Sequence, residues 1–179
     1  MRFPHAYILF LIHFHGDRDY FECHEILEDY WKETEPGNRN SIWVGFIQLA
    51  VAQYHYRRGN NIGAKKLLIK SINILKQRKM ELTKFGIDID PLFVLLENLH
   101  TSYINGCAYK NINLPICNQQ LLSVCKKESV QSGLKWCSDD DQISNFIVHR
   151  HLYKNRVDVE PAEKNRIYQK IKNYAEKKA

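Results

Sequence analysis

The feature that most constrains this chain is a series of apolar segments with helical spacing, separated by short polar stretches. Apolar residues recur three or four positions apart, as in helices that bury one face. The stretches between them carry glycine, proline and asparagine, which end or cap helices. No convincing pair of alternating, strand-like segments is present. The sequence therefore predicts an all-α fold, a compact antiparallel bundle of about five helices, near residues 4–15, 17–33, 41–58, 60–77 and 90–103.

The helical pattern weakens beyond residue 106. Residues 107–141 are rich in loop-forming residues, with one short helix predicted near 119–127. The net charge of +6 is concentrated near the end, since residues 148–179 hold nine Lys and Arg against four Asp and Glu. We therefore predict a helical bundle domain at 1–106, followed at 107–179 by a loop-rich segment and a basic helical C-terminal extension. Such an extension is more often a solvated helical face than a binding site for an acidic partner.

The composition indicates a cytoplasmic protein that does not enter a membrane. No run of about 18 apolar residues is present, as a transmembrane helix requires. The apolar stretch 6–14 lacks a small-residue cleavage site and is predicted to be the first core helix instead of a signal peptide. The five cysteines form no CxxC pair, which favours reduced thiols.

The segment YFECHEILEDYW at 20–31 places acidic groups and a histidine among aromatic residues. On a helix, Glu28 lies about 40° and Glu25 about 100° from His24 around the axis. Tyr20, Phe21 and Trp31 fall on the same side. Because such rings pack inward, we expect the polar groups to be carried inward too, where buried charge requires a partner.

The next helix offers polar partners for these groups. Gln48 and His55 share one face with small residues at Ser41, Gly45 and Ala52, which would allow another helix to approach closely. We predict that this face packs on the helix that carries His24. Arg39, in the intervening loop, could form a bidentate pair with a carboxylate.

The pattern HEILE resembles the zincin pattern H-E-x-x-H, with glutamate in place of the second histidine. In such a site His24, Glu28 and His55 would hold a divalent metal and Glu25 would be the general base, while Gln48 or Arg39 would orient the substrate. A carboxylate ligand shifts the preference towards Mn²⁺ or Fe²⁺, with Zn²⁺ as the third candidate.

A structural role explains the same residues without a metal. A network of histidine, glutamate and glutamine side chains can satisfy itself through hydrogen bonds and fix the register of two helices. For His55 alone, a hydrogen-bonded core histidine is the commoner situation. HExxE by itself is a weak signal, since it arises often in glutamate-rich helices.

The segments ECHEILEDYW and GFIQLAVAQYHYRRGNNIGAKKLL together resemble a family of small helical proteins, domain of unknown function 309. The likeness covers about residues 10–80, and the tail is similar to that of Bacillus-type members. The resemblance implies an all-α fold and the label of predicted metal-dependent hydrolase. The positions that match the family's motifs are Glu22, His24, Glu25, Glu28, Trp31, Gln48, His55, Gly59, Asn60, Gly63 and Ala64.

Two functions are consistent with these observations. The first is a divalent-metal-dependent hydrolase that acts on an unknown small molecule, with its site between the second and third helices. The alternative is a non-enzymatic helical scaffold or adaptor, whose polar cluster is structural and whose basic tail binds an acidic protein or RNA. Access distinguishes them, since a catalytic site needs a cleft that reaches His24 and Glu25.

Overall fold

The protein is helical in a computed structural model, which describes residues 3–139 and 143–151. Within these residues there is no strand, only an isolated bridge between Ile87 and Ile116, and the predicted all-α class is confirmed. The described helices are α1 (His5–His15), α2 (Tyr20–Thr34), α3 (Ile42–Arg57), α4 (Asn61–Gln77), α5 (Lys79–Lys84), α6 (Ile89–Ile104), α7 (Gln119–Gln131) and α8 (Asn145–Val148).

Side-chain caps explain where three of the long helices begin. The carboxylate of Asp19 accepts a hydrogen bond from the backbone N–H of Glu22 at 3.0 Å, which starts α2. Ser41 Oγ accepts from the N–H of Trp43 at 3.1 Å, at the start of α3. Asn60 caps α4 in the same way. Each cap satisfies an N–H group that has no partner within its own helix.

An aromatic cluster lies where α1 packs against α3. The Tyr7 ring is 5.8 Å from both the Trp43 and Phe46 rings and 5.5 Å from the Phe85 ring. Phe10 lies 5.4 Å from Phe46. Tyr7, Phe10 and Phe46 are completely buried, so burial of these rings is a major source of stability. Around this cluster α3 packs against both α2 and α4, and α1 packs against α2 and α7.

The small residue in the middle of α3 faces α4, not α2. A Cβ atom added at Gly45 would lie 2.7 Å from Leu75 Cδ2, and the buried Ser71 Oγ donates to the Gly45 carbonyl at 2.7 Å. The prediction that this face packs on the helix of His24 is therefore wrong at Gly45, whereas Gln48 of the same face does line a cleft with His24. The spacing correctly identified a close helix contact, but not the neighbour that makes it.

A buried arginine joins the end of α1 to later parts of the chain. Arg18 is 1% exposed, and its guanidinium donates to the carbonyl oxygens of Phe14, Ile112 and Ser138 and to Asn113 Oδ1. Its distances to these oxygens lie between 2.8 and 3.3 Å. The charge is thus solvated by fixed dipoles, which replace the water lost on burial.

The chain divides into two compact units, Met1–Val148 and His149–Ala179. Of the second unit the structure describes only residues 149–151, so most of the predicted basic helical extension, from residue 152 onward, lies outside the described residues. The predicted domain boundary at residue 106 stays a prediction. None of the helices in the described residues has the length and apolar character needed to cross a membrane.

Candidate functional site

Three side chains of α2 converge to form the His/Glu group, defined as His24, Glu25 and Glu28. His24 Nδ1 lies 3.1 Å from Glu25 Oε1, and His24 Nε2 lies 2.9 Å from Glu28 Oε2. One nitrogen or oxygen ligand atom from each residue lies within 4.8 Å of those of the other two. The contact with Glu28 follows from helical geometry, since residues four apart face each other on a helix, whereas Glu25 is the next residue and its side chain bends back to reach Nδ1.

The His/Glu group lies at the boundary of the core, where solvent reaches it. The three side chains are between 28% and 31% exposed, so they are less buried than the sequence predicted. On the core side, the Phe21 ring packs at 6.3 Å, edge to face, against the His24 ring. This geometry holds the imidazole in place while its polar atoms stay accessible.

A cleft of about 200 Å³ opens beside this group, between α2, the loop that follows it and α3. It brings together four of the six residues predicted for the site, namely His24, Glu28, Arg39 and Gln48. Glu25 belongs to the His/Glu group but does not line the cleft. The whole lining consists of His24, Glu28, Trp31, Arg39, Val44, Ile47 and Gln48.

His55 is not brought into the His/Glu group or the cleft. Its Nδ1 lies 3.1 Å from Asn60 Nδ2, and Asn60 Oδ1 accepts from the N–H of Gly63 at 3.0 Å. Burial and the nearby charge of Arg58 lower the pKa of His55. A neutral imidazole accepts the Asn60 amide proton, so His55 orients the residue that caps α4.

The glycine-rich part of the family motif serves the same cap. Gly59 has a φ of +77°, which ends α3 in the left-handed region. A Cβ atom at Gly63 would lie only 2.7 Å from Asn60 Nδ2. Glycine at 63 therefore leaves room for the asparagine that caps the helix, and these two glycines have a structural explanation.

Lys32 is a contact of the site that the sequence analysis did not identify. Its Nζ lies 2.9 Å from Glu28 Oε1, on the opposite oxygen from the one that faces His24. The hydrogen bond to Glu28 raises the pKa of Lys32. The i, i+4 spacing of Glu28 and Lys32 was the available signal. Together the two contacts orient both oxygens of the Glu28 carboxylate.

The side chains of the His/Glu group are chemically suited to be ligands of a divalent metal ion. One imidazole nitrogen and two carboxylates are a combination that Mn²⁺, Fe²⁺ and Zn²⁺ accept. Glu25 faces Nδ1 while Glu28 faces Nε2. Metal-binding histidines commonly donate their second ring N–H to a carboxylate, and Glu25 is placed to accept it.

Comparisons with known proteins agree with this arrangement of motifs. Residues 7–67, which hold the whole His/Glu group and the cleft lining, match the family described as Domain of unknown function (DUF309). The chain is also 43% identical over 157 residues to the "Uncharacterized protein YpuF" of Bacillus subtilis (strain 168), a match covering 88% of this chain and 90% of that protein. No solved structure matches the chain significantly. With a relative of this identity aligned along most of both sequences, the chain belongs to the DUF309 family.

Proposed function

We propose that this protein is a divalent-metal-dependent hydrolase whose site is the His/Glu group and the adjoining cleft. The observation that carries the proposal is the convergence of one imidazole and two carboxylates, within 4.8 Å of one another, beside a solvent-accessible cleft. A network that served only to fix helix register would gain nothing from an opening at this place. Access was the feature expected to separate a catalytic site from a structural network: the cleft reaches His24, and the side chain of Glu25, outside the cleft lining, is 30% exposed.

His24 and Glu28 would hold the ion, through Nε2 and a carboxylate oxygen. When bound, the ion would polarise a substrate carbonyl or phosphoryl oxygen and lower the pKa of a bound water. Glu25 fixes the ring by its contact with Nδ1, and it is the remaining carboxylate for a general base. Lys32 orients Glu28 from the opposite side. Gln48 and Arg39, on the cleft wall, would orient the substrate.

Metal content measured by mass spectrometry tests the proposal. Untagged protein purified without chelator, and protein incubated with Mn²⁺, Fe²⁺ or Zn²⁺, should carry nearly one ion per chain. The variants His24→Ala and Glu28→Gln should lose it while remaining folded by circular dichroism. His5→Ala removes a histidine whose side chain is 72% exposed, and this control should keep its metal.

Activity is tested next, on the metal-loaded protein. Hydrolysis of small esters, amides or phosphate esters should require both the ion and Glu25, so Glu25→Gln should retain some metal and lose turnover. If the wild-type protein binds none of the three ions, the metal-dependent function is refuted. A lower melting temperature in His24→Ala would then indicate that the His/Glu group has a structural role in holding the helices in register.

A further inference from the structure

Arg39 brings a positive charge to the cleft, and no group among the described residues forms an ion pair with it. Within residues 3–139 and 143–151, its guanidinium forms neither an ion pair nor a side-chain hydrogen bond, although it lines the cleft. Arg18 and Arg78 do have such partners: Arg18 donates to carbonyl groups, and Arg78 pairs with Glu81. A guanidinium offers five N–H donors in a planar fork that matches carboxylate and phosphate groups.

The backbone around Arg39 is fixed on both sides. The carbonyl of Asn38 accepts a hydrogen bond from Trp31 Nε1 at 3.0 Å, and the carbonyl of Asn40 accepts one from Arg78 Nε at 2.7 Å. Asn40 Nδ2 also donates to Gln77 Oε1 at 2.9 Å. The loop is therefore preorganised, and only the side chain of Arg39 needs to be ordered when a ligand binds.

The second polar group on the cleft wall also lacks a partner. Gln48 Oε1 is buried and accepts no hydrogen bond from the described residues. Leaving a buried acceptor unsatisfied is unfavourable, so an N–H or O–H group that enters the cleft would be bound there. A water molecule or a ligand group can supply that donor.

Apart from His24 and Glu28, the rest of the wall is apolar, and the space is small. Trp31, Val44 and Ile47 line it. A volume of about 200 Å³ lies below the usual range for drug-sized ligands, which starts near 300 Å³. The cleft therefore suits a molecule about the size of one substituted ring or a short acylated amino acid.

From these three features we propose that the cleft binds a small organic oxyanion, a carboxylate or phosphate ester, with an N–H or O–H donor and an apolar portion. Arg39 binds the anionic group, Gln48 accepts the donor, and Trp31 contacts the apolar portion. This proposal names a substrate class for the cleft of the proposed hydrolase. It rests on the proposed function for the reaction, whereas binding of the anion does not depend on a metal. His24 and Glu28 line the same cleft as Arg39, so a molecule bound there shares the cleft with the His/Glu group.

Binding of three probes by nuclear magnetic resonance tests the proposal. Phenyl phosphate and hippurate carry a phosphate and a carboxylate, respectively, and benzyl alcohol is the neutral control. Titrations at low ionic strength, on chelator-treated and metal-loaded protein, should shift the amide signals of residues 38–48 with one or both anions. Benzyl alcohol should bind at least about tenfold more weakly, since it cannot form the charge-assisted hydrogen bond with Arg39.

Variants identify the groups responsible. Arg39→Gln should weaken anion binding at least about tenfold, whereas Lys66→Gln, which removes an exposed charge from α4, should leave it unchanged. Gln48→Leu should weaken hippurate, which has an amide N–H, more than phenyl phosphate. The relative affinities of the two anions decide between a carboxylate and a phosphate.

The outcomes separate this inference from the proposed function. Metal content should be the same in Arg39→Gln as in the wild type. If metal binds but neither anion shifts the cleft signals, or Arg39→Gln binds as the wild type does, the inference is overturned and the hydrolase proposal stands. If the anions bind through Arg39 but no metal is ever held, the ligand class is supported and the metal-dependent reaction fails.

Discussion

His15 Nε2 accepts a hydrogen bond from the backbone N–H of Leu114, 2.9 Å away and 99 residues later in the chain. A backbone N–H can only donate, so Nε2 carries the lone pair and the ring proton is on Nδ1. That proton is donated to the Leu11 carbonyl at 2.8 Å. The ring is 1% exposed and stacks on Trp136 at a centroid distance of 4.6 Å. The fold therefore requires a neutral His15, in one tautomer.

Acid should destabilise the protein through this histidine. Burial, with a smaller effect from Arg18, lowers the pKa of His15 to about 4 from an ordinary value of 6.5. Below pH 6.5, His15 is protonated in the unfolded chain, whereas in the native state it stays neutral until the pH falls to about 4. Stability is thus unaffected by this group above pH 6.5 and is lost as pH falls through that window, by about 3 kcal/mol in total.

Urea unfolding at several pH values between 4 and 7 measures this dependence. Because other groups titrate in both proteins, the useful quantity is the difference in slope between the wild type and His15→Gln. The unfolding free energy of the variant should fall less steeply with decreasing pH. The difference in slope should correspond to close to one proton bound on unfolding. Equal slopes would mean that His15 is not held neutral.

Replacing Arg18 should be much more damaging than replacing Arg39. Arg18→Met keeps a long, non-glycine side chain at a position with φ +58°, so the backbone strain is unchanged. It leaves the buried carbonyl groups of Ile112 and Ser138 without donors. We expect a loss of about 3 kcal/mol or more in unfolding free energy. Arg39→Met, at an exposed position, should change it by less than about 0.5 kcal/mol. Similar effects from both variants, measured by denaturant titration, would contradict the buried network.

A larger side chain at Gly45 should push α3 and α4 apart. Gly45→Val brings methyl groups into Leu75 and should reduce the unfolding free energy by about 1–3 kcal/mol. Leu75→Ala makes room at the same place, so the double variant should lose less stability than the sum of the two single variants. Strict additivity would show that the two residues are not in contact.

His55 should matter for the cap of α4 and not for metal. Asn60→Ala removes the acceptor of the Gly63 N–H and should reduce the unfolding free energy by about 1 kcal/mol, whereas Asn60→Asp should retain the cap. His55→Ala should leave the metal content of the wild-type protein unchanged. Loss of metal in His55→Ala would instead return this histidine to the ligand set.

Local signals in the sequence predicted the local parts of the fold. The helical segments near 17–33 and 60–77 were predicted from local spacing, and the structure shows them as α2 and α4, which Asp19 and Asn60 cap through residues three positions on. The short helix α5 was missed, because six residues offer too little of the apolar period to be recognised. Within α2, the contact of His24 with Glu28 is likewise a consequence of spacing along one helix.

Contacts between distant parts of the chain could not be predicted in the same way. Gly45 marks a close approach, but only the three-dimensional packing shows that α4 makes it. His55 shares a helix face with Gln48 in the sequence, yet in the structure its ring pairs with the Asn60 side chain. Nothing near Arg18 in the sequence indicates burial, because most of its partners are carbonyl groups about a hundred residues away.

The hydrogen bonds of Arg18 also determine how much of the chain must be synthesised before this part of the fold can be complete. Phe14 is available as soon as α1 has left the ribosome, whereas Ile112, Asn113 and Ser138 are translated 94 to 120 residues after Arg18. A nascent chain that has reached only residue 106 holds a guanidinium with four of its five native hydrogen bonds still unmade. The hydrogen bonds that hold Arg18, in the turn after α1, are therefore complete only when residue 138 has been synthesised.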